Sequence, residues 1–321
     1  MISRWKTGLL PGLIGAVGLA LSPAMAAPAV APSSARAEAA KPGADTVQAP
    51  APRPAIWLLA DEDTRIYLFG TIHMLPPGLQ WRSAAFETVV READELVLEV
   101  AEDPDTDQVA AIAPLIMRDQ PLSILERVSP ERRQGLRELI QSLGMPVESF
   151  DGLQTWAAAM TLAVTGLTQA LAGPDGSPED VTGVEDELRV DFLQSGRPIS
   201  GVEDGPQQLG FLSGLSPATQ REMLEEMVDG YARGDSDFGE LSEEGWLRGD
   251  TADIAAEMEE MPAELFDVLV TRRNAAWTGW LIERLQRPGT VLFAVGAGHL
   301  AGRDSVQSML ADRGLTVTRL P

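Results

Sequence analysis

The sequence predicts an α/β fold: a mixed, largely parallel sheet with helices on both faces, built on two strand–Gly-x-x-His–helix–strand repeats, plus a helical insertion. Three observations predict it. The chain's only two histidines, His73 and His299, each close a Gly-x-x-His tetrad directly after an apolar run, Arg65-Ile-Tyr-Leu-Phe-Gly70 and Thr290-Val-Leu-Phe-Ala-Val-Gly296. Short β-rich runs bounded by glycine read as buried strands with a sharp turn behind them. Each tetrad is followed by a helical pattern and then by another β-rich run, at 96–100 in the first copy and 315–320 in the second. The run at 96–100, Leu-Val-Leu-Glu-Val, is apolar at both parities, as a strand covered on both sides must be.

The elements follow in order. Residues 1–26 read as a signal peptide, with Arg4 and Lys6 before an apolar stretch and an Ala24-Met25-Ala26 cleavage site. That stretch is short for a membrane span and carries Pro11 and Pro23. The expectation is a periplasmic or secreted protein with no stable membrane anchor after signal cleavage. Residues 27–54 are rich in Ala and Pro and read as a disordered linker, since they offer little to bury. The α/β domain then covers 55–321. Ala55-Ile-Trp-Leu-Leu pairs with 65–69 across Asp61-Glu-Asp, and Ser83 caps a helix burying Phe86, Val89, Val90 and Ala93.

The helical insertion spans about 107–171. Ser129-Pro130 opens one of its helices, Gly144 closes it, and Trp156 begins an Ala-rich core helix. After a Gly/Pro/Asp loop at 173–180, a helix over 184–194 carries Glu185, Asp186 and Glu187, and a strand at 198–202 runs into Glu203. Ser216-Pro217 starts a helix whose Met223, Leu224, Met227 and Val228 read as core. The acidic stretch 235–260 lacks the alternation of a calcium loop and reads as solvated helix and loop. Pro262 opens a long helix to about 286, with Leu265, Leu269, Ala276, Trp277 and Trp280 in one apolar stripe and Arg273 inside it. Asp304 or Ser305 caps the last helix, which buries Val306, Met309 and Leu310.

The chain has no cysteine, so any metal must be held by imidazole and carboxylate. Its formal charge is −23, more negative by two once Arg4 and Lys6 leave with the signal. Such acidity argues against nucleic acid and anionic membranes as partners.

His73, Glu99, Glu203 and His299 all fall at or just past strand ends, where open α/β sheets bind ligands. His73, His299 and Glu99 are therefore candidate ligands for a divalent ion (Mn, Co or Zn), and Glu99 is equally a candidate base. Glu203 is a candidate further ligand or supporting acid. Arg273, with Asn274 beside it, is the candidate stabiliser of an oxyanion. Gly70, Gly296 and Gly298 suit tight turns with close backbone approach.

These stretches resemble the TraB/GumN family, related to the Tiki metalloproteases and more distantly to erythromycin esterases and ChaN-like proteins. The resemblance rests on Phe69-Gly-Thr-Ile-His73, Leu96-Val-Leu-Glu99, Gly183-Val-Glu185-Asp186, Gly201-Val-Glu203-Asp, Arg273-Asn274 with Trp277, and Val295-Gly-Ala-Gly-His299-Leu-Ala-Gly302. Where similar bacterial proteins often read Gly-Ile-Asp, this chain has Gly183-Val-Glu185. The resemblance implies an α/β fold with both Gly-x-x-His motifs at the active site, and metal-dependent hydrolysis by analogy with Tiki. The leading expectation is a metal-dependent hydrolase of the peptidase or esterase class acting on a peptide or small molecule. Its rivals are a non-catalytic protein that sequesters a peptide or small ligand, and a haem- or iron-binding protein.

Overall fold

A computed structural model describes residues 51–101, 108–173, 176–235 and 243–321. Residues 1–50, where the signal peptide and most of the linker are expected, and part of the acidic stretch lie outside the described residues. The sheet has six strands: β1 (Ile56–Ala60), β2 (Thr64–Thr71), β3 (Glu95–Val100), β4 (Ile199–Glu203), β5 (Gly289–Gly296) and β6 (Val317–Arg319). Their spatial order is β4-β3-β5-β2-β1-β6. β2, β5, β3 and β4 pair in parallel, while β1 runs antiparallel to both β2 and β6. The sheet is mixed and largely parallel, as the sequence implies.

β1 and β2 form a hairpin in register Ala60↔Arg65. Its turn is tied by the Asp61 carboxylate, which accepts from the backbone N–H of Asp63 and Thr64. The first crossover runs through α1 (Ala84–Glu92), where the Ser83 hydroxyl accepts from the N–H of Phe86. The insertion follows as α2 (Gln108–Ile116), α3 (Arg133–Ser142) and α4 (Thr155–Ala172), linked by 3-10 turns. Ser129-Pro130 opens only a 3-10 turn, with no side-chain cap, and the α-helix proper begins at Arg133. Next come α5 (Val184–Gln194), α6 (Gly205–Ser213), α7 (Pro217–Arg233), α8 (Glu243–Leu247) and α9 (Thr251–Met258). The Met-bearing face of α7 is buried throughout.

The helix expected over 262–286 is one run in three segments. α10 (Ala263–Phe266) passes into a π-turn at Asp267–Thr271 and then into α11 (Arg272–Arg284). A π-turn adds about one residue to a helical turn, so the buried stripe shifts by one position beyond it. Arg273 and Trp277 are buried as expected, but Ala276 is exposed and Trp280 only half-buried, while Asn274, Thr278 and Leu281 are buried. The last helix is α12 (Val306–Asp312), capped by Ser305 rather than Asp304. Its Val306 and Leu310 are buried, and Met309 is half-buried.

Strand residues alternate between two cores. Tyr67, Phe69, Leu96, Leu98 and Leu292 face α1 and the insertion, while Ile66, Leu68, Val97, Phe293 and Val295 face α11 and α12. The two repeats thus leave the sheet on opposite faces: β2 leads through α1 to β3, and β5 leads through α12 to β6. β2 and β5 are neighbours whose chains depart in opposite directions along the sheet. That is a topological switch point, and a crevice opens beyond the carboxyl ends of such a strand pair. Among the described residues no helix is long and apolar enough to cross a membrane.

Candidate active site at the switch point

His73 lies two residues past β2, and His299 lies in a 3-10 turn (Ala297–Leu300) directly after β5. Glu99 and Glu203 sit at the carboxyl ends of β3 and β4, and Arg273 and Asn274 reach in from α11. Gly296 marks where they meet. A Cβ placed there would stand 3.1 Å from Glu99 Oε1, 3.2 Å from His73 Nε2 and 3.7 Å from His299 Cδ2. Two imidazoles more than two hundred residues apart therefore converge beside one carboxylate. Gly296 is needed for close approach rather than for backbone conformation, since none of Gly70, Gly296 and Gly298 has a positive φ. At Gly70 a Cβ would stand 2.9 Å from the Cα of Ala297, so glycine there lets the two motif turns touch.

Arg273 is 4% exposed and occupies the middle of the acids. Its Nη2 donates to Glu99 Oε2 at 2.6 Å, and its Nε donates to Glu203 Oε1 at 2.9 Å and Oε2 at 3.0 Å. The remaining carboxylate lone pairs are also used. Glu99 accepts from the Gly296 N–H at 2.7 Å and from Gln208 Nε2 at 3.2 Å; Glu203 accepts from Trp277 Nε1 at 2.8 Å. A buried guanidinium or carboxylate without a partner costs several kcal/mol, and here each offsets the other. Burial pushes the Glu99 carboxyl up, but Arg273, then the two imidazoles and the Gly296 N–H, outweigh it and hold the group down at about 2. Burial prevails at Glu203, raised above its ordinary value despite Arg273.

The hydrogen bonds fix the ring tautomers. Asn274 donates its amide to the carbonyls of His299 and Asp304, which leaves Oδ1 to accept from His299 Nδ1 at 2.7 Å. His299 Nε2 is then the acceptor, facing Arg273 Nη1 at 3.2 Å and Glu99 Oε1 at 3.6 Å. Burial first, then Arg273, keep this ring neutral, with its pKa lowered to about 3 against the pull of Glu99. His73 Nδ1 lies 2.5 Å from Glu185 Oε1, and Glu185 is itself held by the Thr71 hydroxyl. Burial would lower His73, yet Glu185 and then Glu99 raise it above its ordinary value. Among the described residues no hydrogen bond reaches His73 Nε2, the atom nearest Gly296.

Segment 182–184 docks along the first motif, with Leu75 N–H on Thr182 O and Val184 N–H on Ile72 O. Asp186 is a helix cap, accepting from the Gly183 N–H at 2.9 Å. Of the four acids on α5, Glu185 is the one on a histidine; its residue class is visible in the Gly183-Val-Glu185 motif, but not its target. Gln208 escaped the sequence reading altogether. The only available signal is its place one turn into α6, directly after the strand-end acid Glu203.

Fold and site together define an α/β protein whose candidate centre sits at a topological switch point and joins two oriented imidazoles to a buried carboxylate–guanidinium network. The chain belongs to the TraB/PrgY/gumN family, whose sequence model matches residues 55–319. It is similar to the uncharacterized protein YbaP of Escherichia coli (strain K12), 24% identical over 258 residues that cover 80% of this chain and 92% of YbaP. The same figures hold for YbaP of Shigella flexneri. A 72-residue stretch is 38% identical to the Metalloprotease TIKI homolog of Amphimedon queenslandica, covering 22% of this chain and 14% of that protein. No solved structure matches the chain.

Proposed function

We propose that this protein is a metal-dependent hydrolase of the peptidase or esterase class. The observation that carries the reading is the pair of imidazoles whose Nδ1 atoms are tied to Glu185 and Asn274, which leaves His73 Nε2 beside Gly296 and aims His299 Nε2 at Glu99 and Arg273. Tying one ring nitrogen to an oxygen and presenting the other is how proteins orient histidine toward a divalent ion. The free Nε2 of His73 and the ionised Glu99 suit the same purpose. Among the described residues no group of three or more His, Cys, Asp and Glu is already spaced around an ion, and the Arg273 guanidinium, bonded to both Glu99 and His299, would have to shift to admit one.

His73, His299 and Glu99 would hold the ion, which when bound supplies Lewis acidity and an acidified water. Arg273 keeps Glu99 ionised and orders it with Glu203. Trp277 packs on the His299 ring, with centroids 4.4 Å apart, and helps to hold it in place. The short similarity to a protein named a metalloprotease supports the same class. The sequence expectation of a secreted or periplasmic location accords with this reading.

The test is metal content of the purified protein after loading with Mn, Co or Zn, then cleavage of a peptide and ester library. One ion per chain, lost in His73→Gln, with cleavage lost in Glu99→Gln, is the expected result. No retained ion under any loading condition ends the proposal. A sequestering protein is the second reading, favoured by a centre whose acids and guanidinium already satisfy one another; metal retention without turnover of any library member would select it. Haem finds less support, since a macrocycle needs open space over its axial ligand and the His299 ring is 1% exposed.

A further inference from the structure

The four arginines lining one cleft stand out in a chain where 48 acids oppose 25 bases. The cleft has a volume of about 650 Å³ and is lined by Arg53, Arg82, Arg248 and Arg319, with no Asp or Glu among its lining residues. It lies on the same sheet edge as the histidines: Ile56, at its floor, pairs with Phe69 near the end of β2, and Arg319 closes β6. The 246–249 segment separates the two, with Trp246 Nε1 on Gly70 O and Leu247 O on the Arg53 N–H.

The guanidiniums are not equivalent. Arg82 is neutralised by Glu87 and Asp191, each at 2.6 Å, and by Glu187 at 3.4 Å. Arg248 holds Glu244 and Asp253 loosely, both at 3.5 Å. Arg53 and Arg319 form no ion pair among the described residues. Arg319 is posed rather than loose: it lies over the Trp57 ring at 5.7 Å and donates to Gly249 O. The first turn of α1 also faces the cleft through Ala84 and Ala85. Their N–H groups precede the helix's own bonding and add partial positive charge. Between these donors the walls are apolar, from Pro54, Ile56 and Leu320.

We infer that this cleft binds a small organic anion, one oxyanion group of carboxylate or phosphate type joined to an apolar body. A guanidinium fork matches either oxyanion in bidentate fashion, and the volume is that of an ordinary ligand site. Two of its four guanidiniums, Arg53 and Arg319, form no ion pair among the described residues, although the chain holds 48 acids. The site stands without the hydrolase reading, because none of its residues belongs to the histidine pocket.

The test is calorimetric titration of the full chain at low salt with 3-phenylpropionate, phenyl phosphate and the neutral 3-phenylpropionamide. Binding of at least one anion, weakened by added salt and absent for the amide, is expected; which anion binds tighter separates the two oxyanion sources. Arg53→Gln, at an exposed position, weakens binding about tenfold through loss of a charge-assisted contact, and Arg319→Gln does the same. Arg91→Gln, on the far end of α1, leaves it unchanged. Equal binding of the amide, no binding of either anion, or undiminished binding in both cleft variants overturns the inference. His73→Gln keeps anion binding, so failure here and failure of the metal site are read apart.

Discussion

Gly296 has no side chain, and the site uses the space that this leaves. Gly296→Ala puts a methyl 3.1 Å from Glu99 Oε1 and 3.2 Å from His73 Nε2, tighter than van der Waals contact allows without movement. The variant is expected to fold, to lose about 1–3 kcal/mol by overpacking, and to lose divalent-ion binding in calorimetry. Ion affinity equal to the parent's would place the donors elsewhere. His299 sets an acid limit by the same local logic. Its folded pKa, held by burial at about 3, lies below its ordinary 6.5, so the unfolded chain takes up the proton first as pH falls. Its contribution is complete above about 6.5 and drains away down to about 3. Glu99, depressed from 4.5 to about 2, loses its share between those values in the same direction. His73 has the opposite sign, because its raised pKa gives stability that is present in acid and fades as pH rises past its folded value. Urea midpoints are therefore expected to fall from pH 5 to pH 3, and His299→Gln to flatten that slope. An equal slope in the variant would remove His299 from the account.

At the scale of the element, the π-turn decides what α11 shows to the site. An unbroken α-helix from Leu265 and Leu269 would carry Ala276 and Trp280 inward; with the extra residue at 267–271, Asn274 and Leu281 are buried alongside Arg273 and Trp277 instead. Such insertions leave the flanking turns in place, so deletion of the half-buried Val268 is expected to restore plain α-helix with Arg273 still on Glu99. Hydrogen exchange across 263–284 and the melting temperature check this, and a collapsed melt would show that the π-turn is indispensable to packing. This element also marks the limit of what the residues disclose. The two Gly-x-x-His repeats were legible because strand, glycine and histidine are adjacent in the chain, and Glu99 and Glu203 because an acid in an apolar strand breaks its pattern. The π-turn was not, since its energetics lie in packing against the sheet rather than in the identities of 267–271. Glu185 and Gln208 were hidden for a related reason: both sit on ordinary helices, and only the docking of those helices aims them.

At the scale of the whole molecule, the formal charge is −23, and several of the cationic side chains have specific tasks. Arg273 neutralises the centre, Arg127 donates to the carbonyls of Leu153, Phe150 and Asp151 inside the insertion, and Arg284 pairs with Glu95 at 2.7 Å. What remains outside is mutual repulsion, which salt screens over about 10 Å at 0.1 M. The melting temperature is expected to rise when sodium chloride is added to a low-salt buffer. A fall would mean that ion pairs such as that of Arg132 with Asp229 outweigh the repulsion.

The divergence of the two repeats at the sheet centre has a temporal side. β5 lies between β2 and β3, so nothing made before it can bring the imidazoles face to face. A polypeptide still being synthesised holds His73, Glu99 and Glu203 with the middle place of the sheet vacant. Whatever reactivity the finished centre has stays latent until β5 and the turn after it have been made, and closure over so long a loop makes that step slow.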